Sequence, residues 1–190
     1  MKIEEAPLKG ILIITPDIFR DERGYFFEAY NLQKYTTIPA FVQDNESISK
    51  KGVFRGLHYQ IPPFAHGKLA RVISGKALDV VVDIRYNSPT FGKYPAVELS
   101  EENKKQLYAP PGFAHGFLAL SEGVIFEFKT TRNYNKEHER GILWNDPDLD
   151  IDWGNTQTIT VSDKDRMNKS FKELIKELKQ IKLKDWNIRA

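Results

Sequence analysis

The chain has 190 residues, 41% hydrophobic and 28% charged, a size and composition at which one continuous core can be buried without disulfides or structural metal. With 28 basic against 26 acidic side chains, its net charge of +2 gives none of the broad positive field that drives nucleic-acid binding, so any phosphate must be met by a few placed arginines. The absence of cysteine excludes a disulfide framework, a thiolate nucleophile and a sulfur-ligated metal, and fits a reducing compartment.

Short segments rich in Val, Ile, Phe and Tyr recur between Gly, Pro and Asn punctuation at residues 11–15, 24–30, 53–60, 69–74, 78–85, 96–99, 106–108, 116–120 and 124–131. Many short strands predict a sandwich or barrel. Leu78, Val80, Val82 and Ile84 alternate with Asp79, Val81, Asp83 and Arg85, so one face of that strand is apolar throughout and the other is open to a ligand cavity. Near the C-terminus, Phe171, Leu174, Ile175, Leu178 and Ile181 recur at helical spacing behind a Ser170 cap. The expected organisation is one all-β domain over residues 1–190 with a helical tail at 168–190. Jelly-roll or cupin closure would hide the strand edges. The aliphatic runs fall far short of the ~18 residues of a membrane span, and the N-terminus shows no basic stretch followed by an apolar one. A cytoplasmic protein without membrane or nucleic-acid partners is expected.

Four histidines are present, His58, His66, His115 and His138, but no pair one residue apart followed by a carboxylate, as a metal-binding cupin would carry. No metal is expected. His58 sits on a strand-like segment three residues from Arg55, where a neutral imidazole makes a good general base; a core histidine among Phe54, Leu57 and Tyr59 is the other reading. His115 follows a Pro-Gly turn, where a structural hydrogen bond and a ligand contact both fit. His66 and His138 fall in polar, loop-like stretches and read as solvated. Arg20, Arg23, Arg55, Arg71 and Arg85 are dispersed through strands and turns; each reads as a surface ion pair or as one fork for a diphosphate.

The ordered series FRDERGYFFEAY, FVQDNESIS, VFRGLHYQ, GKLARVISGKALDVVVDIRYNSPTFGKY, LYAPPGFAHGFLALS, ILWNDPDLDIDW and VSDKD resembles the dTDP-4-dehydrorhamnose 3,5-epimerase family from about residue 8 to residue 166. The resemblance implies a metal-independent, cofactor-free cupin barrel that works as a homodimer, with residues 1–30 supplying strands exchanged between subunits. It also implies epimerisation at C3 and C5 of dTDP-4-dehydro-6-deoxy-D-glucose, giving dTDP-4-dehydro-L-rhamnose. His58 matches the base, Asp165 the carboxylate that orients it, and Lys68 the ammonium near the developing enolate. Arg23, Glu28, Gln43, Asn45, Arg55, His115, Tyr134, Glu139 and Lys164 match substrate-binding positions, some of them serving the partner subunit's site. Asp83 is an accessory candidate in the cavity. Phe128 departs from the pattern, because many relatives place there a tyrosine that returns a proton, and a phenyl ring cannot donate one. Water, Tyr134, or Glu127 under a one-residue shift could substitute. Inversion at one carbon only, or a non-catalytic nucleotide-sugar binding cupin, are the readings kept beside double epimerisation.

Overall fold

The computed structural model describes residues 1–154 and 159–186. In chain order it comprises β1 (Lys2–Glu5), β2 (Leu12–Thr15), β3 (Phe19–Asp21), β4 (Gly24–Phe26), β5 (Gln43–Ser49), β6 (Phe54–Gln60), β7 (Lys68–Ser74), β8 (Lys76–Asp83), β9 (Ala96–Ser100), β10 (Gln106–Ala109), β11 (Phe113–Ala119), β12 (Val124–Thr130) and β13 (Glu139–Gly141). Three helices follow: α1 (Asp163–Arg166), α2 (Phe171–Leu178) and α3 (Leu183–Trp186). A six-stranded sheet runs β1-β2-β10-β7-β12-β5 and faces a five-stranded sheet, β13-β6-β11-β8-β9. Their strand pairs are antiparallel, and β3-β4 is a separate hairpin. Two antiparallel sheets closed face to face are the jelly-roll of a cupin barrel.

Between the sheets, Val81, Phe113 and Phe117 meet Val72, Leu107 and Phe126. The Phe117 and Phe126 rings stack at 3.9 Å between centroids and join the two sheets through the core. The outer face of the five-stranded sheet carries Val80, Val82, Ile84 and Leu118, covered by Trp153, Phe171, Leu174, Leu178 and Trp186. That cover makes β8 and β11 buried on both faces, the reason they read as nearly continuous apolar runs.

Helix α2 begins at the expected cap: the Ser170 hydroxyl accepts from the Glu173 amide while the Glu173 carboxylate accepts from the Ser170 amide. The helix stops at Leu178, earlier than the apolar period suggests, and a turn separates it from α3. Positions 187–190 of the expected helical tail lie outside the described residues. The strand expected at 24–30 shortens to Gly24–Phe26, while β1, β3, β5 and β13 were not anticipated. In β5 the hydrophobic signal is missing because Gln43, Asn45, Ser47 and Ser49 point inward and Asp44, Glu46 and Ile48 outward. Polar residues line this inner face, so apolar alternation cannot reveal the strand.

Candidate active site

The site starts from two glycines. Gly56 in β6 has φ +136°, and a Cβ there would lie 2.5 Å from the Gly116 Cα of β11, so the strands meet at a distance only glycine permits. The β6–β11 register shifts between His115 and Phe117. Regular alternation would send Arg55 and His58 to opposite faces, yet with this irregularity both line one cavity of about 540 Å³. His115 lies directly across from His58 in the ladder.

Asp165 arrives from the far end of the chain. Ser162 caps α1 and accepts the Asp165 amide at 3.1 Å. Parallel bridges Val53↔Thr160 and Ile142↔Lys169 pin this segment against the barrel on either side of the helix. The Asp165 carboxylate then sits 2.6 Å from His58 Nε2, with Asp165 only 4% exposed. Burial by itself would raise this carboxyl, but hydrogen bonds and charge from His58, with further bonds from Ser162 and the Gly56 backbone, outweigh it and hold Asp165 below the usual carboxylate range.

Lys68 reaches from β7, in the opposite sheet, to donate to the His58 carbonyl at 3.2 Å, and its ammonium lies 5.5 Å from the Phe128 ring centroid. Burial pushes the ammonium down to about 8, against the opposing pull of Asp79 and Glu139. A second cavity of about 260 Å³ adjoins the first and shares His58, Lys68 and Phe128 with it. Its remaining lining includes Gln43, Asn45, Gln60, His66, Tyr134 and Glu139. There Gln43 donates to Asn45 Oδ1 at 2.7 Å and accepts the Tyr134 amide at 3.0 Å. Glu139 accepts from the Tyr134 hydroxyl at 2.8 Å and from Lys164 at 2.6 Å. Arg55 crosses to β5, donating to Ser49 Oγ at 2.9 Å and the Ile48 carbonyl at 3.1 Å. A base held by a carboxylate, a buried cation and a polar annex together suit proton abstraction beside a carbonyl on a ligand with a long polar end.

The dTDP-4-dehydrorhamnose 3,5-epimerase family model matches residues 5–173. A dTDP-4-dehydrorhamnose 3,5-epimerase of Shigella flexneri is 48% identical over 175 residues, covering 90% of this chain and 96% of its own. The chain belongs to this epimerase family. Among solved structures, the dTDP-6-deoxy-D-glucose-3,5-epimerase of Legionella pneumophila, in complex with dTDP-4-keto-L-rhamnose, superposes with a TM-score of 0.89. It is 44% identical and covers 93% of this chain and 96% of its own. The Bacillus anthracis dTDP-4-dehydrorhamnose 3,5-epimerase, with TDP and PPi bound, gives a TM-score of 0.85 at 42% identity over 89% of this chain and 98% of its own.

Of the residues this epimerase was expected to use, the cavities gather His58, Lys68, Asp165, Arg55, His115, Phe128 and Lys164, with Gln43, Asn45, Tyr134 and Glu139 in the annex. Arg23 and Glu28 are not among the lining residues: Arg23 pairs with Asp21 on the exposed β3–β4 hairpin, and Glu28 pairs with Lys34 and Asn31. Asp83 is corrected. It accepts from Arg85 at 2.8 Å, Ser88 at 2.6 Å and Thr90 at 2.6 Å, tying down the turn after β8 rather than lining the cavity. Asp79, two pleat repeats earlier on the same inward face, is the carboxylate beside the site; it lies 2.5 Å from His115 Nε2, with its other oxygen unpartnered among the described residues. Glu127 faces away from the cavity and is clasped by Arg71 through two bonds of 3.1 Å, so Phe128 occupies the inward position. His66 is not solvated: its Nδ1 accepts from Gln60 at 2.7 Å, and burial pushes it down to about 3. His138 packs against Phe64, ring centroids 4.5 Å apart. Among the described residues no three His, Cys, Asp or Glu side chains are grouped as a metal site requires.

Proposed function

We propose that the chain epimerises C3 and C5 of dTDP-4-dehydro-6-deoxy-D-glucose to give dTDP-4-dehydro-L-rhamnose. The convergence of the His58–Asp165 pair and the Lys68 ammonium on one cavity carries this reading. A donor at Nε2 leaves the imidazole lone pair on Nδ1, which takes the proton from the carbon beside the C4 ketone. Asp165 holds the ring in that tautomer and stabilises the imidazolium that follows, and Lys68 faces the enolate oxygen as charge develops there. Arg55 and Lys164 serve the diphosphate side, His115 stands across from His58 at the sugar end, and Gln43, Asn45, Tyr134 and Glu139 surround the nucleotide.

A homodimer belongs to the same reading. Phe19 (65% exposed), Phe26 (67%) and Ile48 (68%) lie uncovered on the hairpin and the β5 edge, and a second copy covering them would bring Arg23 and Glu28 toward its neighbour's cavity. A cytoplasmic location agrees with the cysteine-free sequence. Phe128 favours one further reading, inversion at a single carbon, since it places a phenyl ring where a donor would be useful.

In heavy water with the 4-keto substrate, the unaltered protein is expected to take up deuterium at both C3 and C5. His58→Asn should lower that uptake about a thousandfold while dTDP still binds. Deuterium at one carbon supports the single-inversion reading. Uptake that survives His58→Asn, or none with the unaltered protein, overturns the epimerase reading.

A further inference from the structure

Inverting a carbon requires a proton taken from one face and a proton delivered to the other. His58 projects from the five-stranded sheet, so delivery must come from the six-stranded sheet across the cavity. That wall contributes Ser47, Lys68, Phe126 and Phe128. Two of these are phenyl rings, and the Lys68 ammonium, which donates one bond to the His58 carbonyl, is the group this reading assigns to the enolate oxygen. Ser47 remains. It lies opposite Phe126 in the β5–β12 ladder and diagonal to Phe128, which pairs with Asn45, so Ser47 and the Phe128 ring share one face and line the same cavity.

The neighbouring polar groups are already engaged. Asn45 donates to the Phe128 carbonyl at 3.3 Å and accepts from Gln43. The Tyr134 hydroxyl is given to Glu139 at 2.8 Å, and the Thr130 hydroxyl to the Arg132 carbonyl at 2.8 Å. The Ser47 hydroxyl has no hydrogen bond among the described residues, although the side chain points inward and is only partly exposed.

We propose that Ser47 is the proton relay on the face of the sugar turned away from His58, in a cavity whose phenyl wall supplies no acid of its own. The inference rests on the epimerase reading above. As the new C–H bond forms, the Ser47 O–H bond breaks and the oxygen takes a proton from water at the cavity mouth. The His58 imidazolium returns the abstracted proton to solvent, so protons and electrons balance and the net change is an isomerisation.

A relay on the far face has a signature that a structural role lacks. Without it, His58 can still remove a proton and give back deuterium to the same face, so exchange continues while inversion fails. In heavy water, Ser47→Ala is expected to lower inverted product about a hundredfold and to lower deuterium entry with retained configuration less than about threefold. Ser47→Cys, which keeps an ionisable proton on the side chain, should retain inversion. Adding Phe128→Tyr to Ser47→Ala should restore inversion by about tenfold or more, because a phenol then stands on the same wall. Inversion unchanged in Ser47→Ala, or exchange and inversion falling together, overturns the relay while leaving the epimerase reading intact. Failure of the unaltered enzyme to exchange at all is the separate result that removes both.

Discussion

Lys68 holds its charge against burial, and that makes its ammonium the pH-sensitive element of the site. Its pKa is lowered from 10.5 to about 8, so the charge is present below pH 8 and is lost as pH rises through it. If the ammonium holds the enolate, turnover should fall roughly tenfold per pH unit above about 8. Lys68→Arg, whose guanidinium stays protonated, should carry that alkaline limb above pH ~10, which a pH–rate profile would show. A limb that stays near pH 8 in Lys68→Arg would assign it to another group. Stability runs the opposite way: between pH 8 and 10.5 the unfolded chain binds the lysine proton more strongly than the folded one, so this residue's contribution to stability rises with pH there. His58, Lys68 and Asp165 were legible from ordered motifs, and their convergence agrees with that reading. Asp79 was not, because Asp79 and Asp83 share one parity on β8, and alternation cannot say which of two inward carboxylates sits over the cavity and which ties the following turn.

Strands differ in how well their sequences announce them. β8 and β11 were plain because both faces are buried, whereas β5 was silent because its inner face is polar. The break in alternation between Arg55 and His58 was equally hidden, since nothing in RGLH shows that Gly56 must pass within touching distance of Gly116. Gly56→Ala should therefore be costly. A Cβ at 2.5 Å from backbone and a φ of +136° together imply a loss of roughly 3 kcal/mol or more. Urea denaturation would measure it, and a loss under ~1 kcal/mol would mean that β6 and β11 can part without harm. Helix α2 is the opposite case, with its cap box and apolar stripe both readable in advance.

For the molecule as a whole, the uncovered aromatic residues lie near the edge strand β5 and on the β3–β4 hairpin that carries Arg23. Removing residues 1–30 would be a poor test of assembly, because Ile11 and Ile14 are fully buried in this chain's own core. Phe26→Asp is cleaner, since the side chain is 67% exposed and contributes little to the single chain. The variant is expected to sediment as a monomer and to lose most activity while melting within a few degrees of the unaltered chain. A dimer of undiminished activity would place the interface elsewhere. Closure of the barrel also has a consequence for the newborn protein. His58 and the Asp165 carboxylate it meets stand 107 positions apart, so at ~5–20 residues per second a ribosome releases His58 many seconds before Asp165. On the epimerase reading, a chain that stops short of Asp165 has the imidazole without its carboxylate partner, and catalytic competence arrives with the segment that closes over β6.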